Sequence, residues 1–421
     1  MAKKHLFEST LVGSLLVGVL VCPVWAWKPE RYASLESQYE HRSFERLVNF
    51  ANPNPALLGV LTTNTNGAIW RVATTHRAGG DVSRNLSLHL EVPHEILHAN
   101  GGTITTEGAP TTLDSTISGL KDIVIRPAYR LEDPDSPDGG HVVSLTFNLG
   151  QGRSRIDPLE QQVMSFFVQE SGLGFLSPLF SRGFGARLDN RWNVKWGKKQ
   201  EGELALAYTY TGAFASAVDI PTRIDPSDEI FAALRYRKTP NPKLRRQVAV
   251  TVKAYSDQRA RNVRYDTDVS SGLVAFIPGQ VKPLQKNPCL SVNYAVDWIQ
   301  TPRQASRLAL HYATTGAEDY FTTTSAVIRK MKIGDAYSAM YETHYRARRR
   351  DIVKLGASLG RLEKTTVQGV PIDGSERTHA MAFAGYDYSP RRGLHHGFDV
   401  ALGLGPDSPE VVAKAQTLYK W

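Results

Sequence analysis

Cysteine is nearly missing from this 421-residue chain: there are only Cys22 and Cys289. Cys22 falls in an N-terminal leader, so a single thiol is left, which can form neither an internal disulfide nor a cysteine metal site. Long apolar runs are also missing. After residue 26 no stretch reaches the roughly 18 apolar residues that a membrane-spanning helix needs. There is no Gly-x-Ser-x-Gly nucleophile elbow and no glycine-rich loop between a strand and a helix, so the usual hydrolase and nucleotide-binding readings find no support. Asp133, Asp135 and Asp138 lack the regular spacing and distal Glu of a calcium loop, and read as a tight turn with Pro134 and Pro137. His395-His396 follows the turn residues Arg391-Arg392-Gly393 and reads as a solvated turn pair. No catalytic residue, metal site, cofactor or nucleic-acid partner is expected.

The leader itself has the pattern of a signal peptide. Lys3 and Lys4 precede the apolar run Leu11 to Val21, and Val24-Trp25-Ala26 supplies small or apolar residues for cleavage. That run is too short to span a bilayer. Residues 1–26 are therefore set apart from the fold.

What the remainder has in abundance is strict apolar/polar alternation, the mark of a strand with two unlike faces. Leu188, Asn190, Trp192, Val194 and Trp196 share one parity; Arg187, Asp189, Arg191, Asn193 and Lys195 share the other. The same pattern runs through Ile230 to Tyr236, Val248 to Ala254, Leu290 to Trp298, Tyr337 to Tyr345 and Phe398 to Leu404. Segments of about ten residues suit a tilted strand crossing a bilayer, and their Tyr and Trp ends suit an interfacial girdle. The connections alternate too. Short ones at 197–200, 239–244, 301–303, 348–350 and 389–393 are interleaved with long ones near 99–117, 151–181, 213–228, 258–287, 315–332 and 364–377. Short periplasmic turns and long external loops produce that rhythm. The expectation is an all-β fold: a transmembrane antiparallel barrel of about 16 strands, with 12–16 possible, in a bacterial outer membrane. Fifteen strands are readable, and Leu57 to Thr62 could supply another. Residues 27–53 do not alternate, so 27–56 is assigned to a periplasmic arm or plug and 57–421 to the barrel.

If the apolar parity meets lipid, the other parity meets the lumen. Arg187, Asp189, Arg191, Lys195, Glu203, Arg235, Arg237, Lys253, Asp297, Glu342 and Arg346 are then lumen-facing. Basic groups outnumber acidic ones in this set, which favours anions in a confined wall, although neighbouring charges can equally brace one another. Lys198, Lys199, Lys243, Arg245, Arg246, Arg303, Arg348, Arg349, Arg350, Arg391 and Arg392 fall in or beside the short turns and suggest a basic periplasmic collar. The loop at 151–181 carries the apolar stretch Val163 to Phe180, which could fold into the barrel mouth or pack on other loops.

Two resemblances extend this reading. The last eleven residues, with Val411, Ala413, Ala415, Thr417, Tyr419 and Trp421 in one parity, resemble the C-terminal strand of outer-membrane proteins. That resemblance implies that Tyr419 and Trp421 form a signal for the barrel-assembly machinery. Leu88 to Pro93, Ser118 to Ile123 and Pro127 to Leu131 resemble a group of outer-membrane transporters associated with the meta-pathway of phenol degradation. The usual pattern there has Gly where this chain has Lys121. The group is distantly similar to long-chain fatty-acid channels, whose Asn-Pro-Ala plug motif has the letters of Asn54-Pro55-Ala56. What the resemblance implies is passive uptake of small, hydrophobic or aromatic molecules. The alternative is a structural or adhesive barrel that acts through its long loops. Expected partners are outer-membrane lipids, the assembly machinery and the solute.

Overall fold

The computed structural model describes residues 31–51, 60–105, 111–131, 139–152, 183–197, 199–212, 214–215, 223–225, 228–261, 264–268, 273–276, 281–285, 288–321, 328–332, 334–367, 369–371, 376–405 and 410–421. The signal-peptide expectation, the Asn54-Pro55-Ala56 motif, the Asp133–Asp138 cluster and the apolar loop stretch 163–180 lie outside them.

Sixteen antiparallel strands form one closed sheet. They are β1 Arg31–Ala51, β2 Val60–Asp81, β3 Leu86–Thr105, β4 in two segments Thr111–Leu120 and Val124–Arg130, β5 Gly139–Leu149, β6 Phe184–Lys195, β7 Gln200–Thr211 and β8 Glu229–Asn241. The second half comprises β9 Leu244–Tyr255, β10 Cys289–Thr301, β11 Gln304–Thr315, β12 Ala336–Arg348, β13 Asp351–Leu362, β14 Arg377–Arg391, β15 Leu394–Gly403 and β16 Val411–Lys420. Each strand pairs with the next, and β1 pairs with β16 to close the ring. Closure leaves no edge strand, so paired strands satisfy one another's N–H and C=O groups, the condition for crossing hydrocarbon with strands. The start of β1, the end of β16 and the short turns lie at one end. The long connections lie at the other, so the end with the short turns is periplasmic.

The closing seam is fastened at both ends. Arg31 and Trp421 exchange backbone hydrogen bonds of 3.2 and 3.1 Å at the periplasmic end. At the external end Glu410 N donates to His41 O at 2.9 Å, and the Glu410 carboxylate meets His41 Nδ1 at 2.9 Å. A hydrogen bond from Ser43, opposed by desolvation and aided by the His41 ring, holds the Glu410 carboxyl below the usual range. A depressed carboxyl stabilises the fold above its unfolded pKa and loses that contribution as pH falls through the folded one. Glu410→Gln is therefore expected to cost under about 1 kcal/mol at neutral pH. In urea titrations the gap from wild type should close on acidification; a gap that widens would contradict the seam's role.

Residues 31–51, expected in an arm or plug, are instead the barrel's first strand, and they complete the sixteen. The candidate strand at 57–62 is not separate: Val60 to Thr62 begin β2. The loop expected at 99–117 shrinks as well, because β3 runs to Thr105 and β4 begins at Thr111. The reason is visible on the outer face of β1. Its outward positions include Ser37, which bonds Thr74 at 3.3 Å, and His41, which meets Glu410. Polar residues satisfied by each other replace the apolar ones that alternation needs in order to be seen. β1, β2 and β3 have 21, 22 and 20 residues, whereas β5 to β16 have 10 to 15. Residues 42–51 of β1 run on past the start of β16 at the external end.

A break in β4 carries the motif that resembled the transporter group. Val92 and Pro93 of β3 face three residues, Lys121 to Ile123, between the pairs His94–Leu120 and Glu91–Val124. One extra residue on one strand is a bulge, and Pro93, which has no N–H to give the ladder, sits at it. Asp122 then accepts hydrogen bonds from Asn148 Nδ2 and Gly152 N, both at 2.9 Å, and ties the bulge to the end of β5.

Outside the main sheet the loop end carries sheets of its own. Phe214–Ala215, Arg223–Asp225, Asp257–Arg261 and Val281–Gln285 form one; Glu318–Phe321, Ile328–Lys332, Thr366–Val367 and Val370–Pro371 form another. No helix occurs among the described residues.

Candidate functional site

The barrel's two faces are opposite in chemistry. The outward parity carries exposed Leu188, Leu204, Leu206, Ile230, Leu234, Val252, Leu355, Leu359 and Phe398. Trp196, Tyr345, Tyr388, Tyr419 and Trp421 ring the periplasmic end, and Phe184, Tyr210 and Tyr337 the other. Tyr419 stacks on Trp421 at 5.2 Å with the Arg391 guanidinium 5.7 Å from its ring. The basic turn residues Lys243, Arg303, Arg348, Arg349, Arg350 and Arg392 are exposed along this same end.

The other parity is a lattice of ions. Arg187 donates to Asp189 at 2.9 Å and to Glu229 at 3.4 Å, and Lys253 meets Glu229 at 3.3 Å. Because Arg187 is on β6 and Glu229 on β8, this pair reaches over β7. Arg191 and Arg235 converge on Glu203 at 3.5 and 2.9 Å. Arg237 pairs with Glu201, a residue the sequence reading did not single out, at 2.8 Å. Asp297 sits between Arg245 at 2.7 Å and Arg307 at 3.7 Å. Glu342 has His344 at 3.6 Å. Lys195 lines a recess with Glu201, Glu203 and Arg237. Arg346, at the periplasmic end of β12, is exposed and joins none of these clusters. The expected lumen residues thus gather mainly into pairs and triads instead of one binding centre.

Three further networks on this face were not legible in advance. Glu36 links Arg77 at 3.0 Å and Lys414 at 2.9 Å, and Arg77 continues to Glu91 at 2.9 Å. Lys354 lies between Asp387 at 3.0 Å and Asp399. Gly385 leaves room for this contact, since a Cβ there would collide with Asp399. The third is buried: Arg71 binds Glu95 and reaches Glu40 at 3.4 Å, and Lys121 meets Glu95 at 3.1 Å. Inward Ile69, Leu97 and Ile117 are fully buried around it. Lys121, where the resembling transporters have Gly, thus serves as a counter-ion projecting from the bulge. A pattern of inward charges mixed with inward aliphatics defeats a two-letter alternation test, which is why this wall was faint in the sequence.

An open recess of about 650 Å³ lies on the wall from β1 to β6. Arg77, Arg126, Arg187 and Arg191 line it, with Glu91 and Asp189 as its only carboxylates among the lining residues. Tyr32 Oη and His89 Nδ1 meet at 3.1 Å across Gly79, where a Cβ would sit 2.5 Å from the imidazole. Elsewhere Ser389 Oγ contacts His395 Nδ1 at 3.1 Å with Asp387 nearby, a trio of the residue types used in acyl hydrolysis. Its geometry does not serve that chemistry. Asp387 is 3.9 Å from the imidazole and 3.0 Å from Lys354, so the acid is bound to the lysine and does not orient the histidine.

No protein-family model matches the chain, and no characterised protein matches it in sequence. Its fold is similar to that of solved outer-membrane proteins. OmpT of Vibrio cholerae aligns with TM-score 0.40 and 8% identity over 95% of this chain and 100% of that one. The outer membrane channel DcaP of Acinetobacter baumannii gives 0.38 and 9% over 94% and 96%. An outer membrane channel from Pseudomonas putida F1 gives 0.32 and 10% over 95% and 100%. These likenesses are in overall architecture. A closed sixteen-stranded barrel, apolar outside and charged within, is built for the bacterial outer membrane, and that is where this chain resides.

Proposed function

We propose that the protein is a passive channel for small molecules across the outer membrane, with no catalytic role. The observation that carries this reading is the inward face. It is polar and charged around an open recess, in a barrel whose apolar surface is spent on lipid. The resemblance of the β3–β4 motif to phenol-pathway transporters adds a solute with an aromatic body. Tyr419 and Trp421, exposed at the end of the closing strand, are available to be read by the assembly machinery.

The reading is tested by single-channel recording of the refolded barrel in planar bilayers, with heat-modifiable gel mobility to establish folding. Stable steps with a reversal potential favouring anions are expected, since a net positive wall attracts them. The sheets at the loop end favour a second reading, a barrel that works through its external surface. A folded barrel without conductance would support that reading against the first.

A further inference from the structure

We infer that the recess between β1 and β6 is a subsite for the carboxylate of a small organic monoanion, held by Arg126. The inference rests on the channel reading and names the class of solute. It begins with charge balance. Arg77 is held between Glu36 and Glu91, and Arg187 between Asp189 and Glu229, so both are compensated. Arg191 shares Glu203 with Arg235. Arg126 differs: its Nε donates to the Thr146 hydroxyl at 3.1 Å, and no carboxylate among the described residues pairs with it. It is exposed to the recess.

The chemistry of the ligand follows from what surrounds this cation. With Nε engaged by Thr146, the two terminal nitrogens of the guanidinium are left to present their N–H groups side by side. That fork matches the two oxygens of a carboxylate. Arg126 is the one arginine of the lining that no described carboxylate pairs with, and Glu91 and Asp189 stand on the same wall, so a second negative charge on the ligand would face carboxylates. Val124, Ala128 and Val142 point into the recess beside Arg126 and offer apolar contact to the body of the molecule. A volume of about 650 Å³ is ample for one aromatic ring. The site therefore suits a compact aromatic or aliphatic acid in its ionised form, and discriminates against both its uncharged counterpart and a dianion.

The test is titration calorimetry of the full-length folded barrel in detergent with benzoate, benzyl alcohol and phthalate. Wild type is expected to bind benzoate better than either of the others. Arg126→Gln should weaken benzoate about tenfold, the worth of one charge-assisted contact, and leave benzyl alcohol unchanged. Arg126→Lys should restore part of the affinity. Equal benzoate affinity in wild type and R126Q, or absence of benzoate binding to the folded wild type, would overturn the assignment. Conductance of the same preparations separates the two proposals. A barrel that conducts without Arg126-dependent benzoate binding loses the subsite and keeps the channel. One that binds benzoate through Arg126 and does not conduct keeps the subsite and loses the channel.

Discussion

Replacing Arg71 by Met is expected to destabilise the barrel by about 3–5 kcal/mol, the cost of leaving a buried charge without its partner. Arg71 bridges Glu40 and Glu95 in this wall. Glu95 is 0% exposed and Glu40 4% exposed. Without the guanidinium, Lys121 remains for Glu95 and the amide of Gln38 for Glu40. Both carboxylates would then lose the guanidinium they share, in a setting that is almost closed to water. Met fills much of the lost volume without adding a polar atom, so the loss reads as electrostatic. Unfolding in urea, followed by tryptophan fluorescence in micelles, measures it. Adding Glu40→Gln and Glu95→Gln to the same chain should recover part of the loss, because neutral amides need no counter-ion. A single Arg71→Met variant with an unshifted midpoint would show that this wall is wet, and would remove the argument for a buried network.

A second large effect is expected from parity alone. Leu234 is central in β8 and points outward, 59% exposed on the isolated chain. Its neighbour Ala233 points inward, opposite Ala205 and Thr251. Leu234→Arg places a guanidinium against hydrocarbon near the midplane, at about 2–4 kcal/mol. Ala233→Arg, one residue away, turns the same side chain into a charged interior and should cost less than about 1 kcal/mol by comparison. Refolding yield into vesicles and the urea midpoint read both. If the two variants lose the same stability, the outward face does not meet lipid and the barrel's assignment to a membrane fails. The contrast isolates the face, since the residue introduced, the net charge and the strand are identical in the two variants.

These predictions rest on different amounts of foresight. From β6 onward the sequence is explicit. In stretches such as Arg187 to Trp196 and Glu229 to Arg237 a one-residue slip would put arginine into lipid, so the alternation is enforced at every position, and register and face can be read directly. The rhythm of short and long connections is equally plain, because a periplasmic turn has only to reverse the chain. β1 to β4 escape this logic. Outward Ser37 and His41 find polar partners on Thr74 and Glu410. Inward Ile69, Leu97 and Ile117 are buried against each other and an ion cluster. There the two faces share a vocabulary, and no window of sequence tells which residue looks where. The candidate site suffers the same limit: each inward arginine was identifiable one by one, yet whether it was compensated was not.

What the sequence determined by itself is which residues share a face, because a strand's period of two is a local property and lipid punishes any error in it. That sufficed for an all-β barrel with a charged interior and about the right number of strands. What only the tertiary structure decided is who meets whom across the ring. Closure through β1 and β16 turned residues 31–51 from an arm into a wall. Curvature brought Arg187 over β7 to Glu229 and left Arg126 with a hydroxyl for its partner. Pairing of charges is a matter of ångströms between residues tens of positions apart in the chain, and that spacing is set only when the sheet closes.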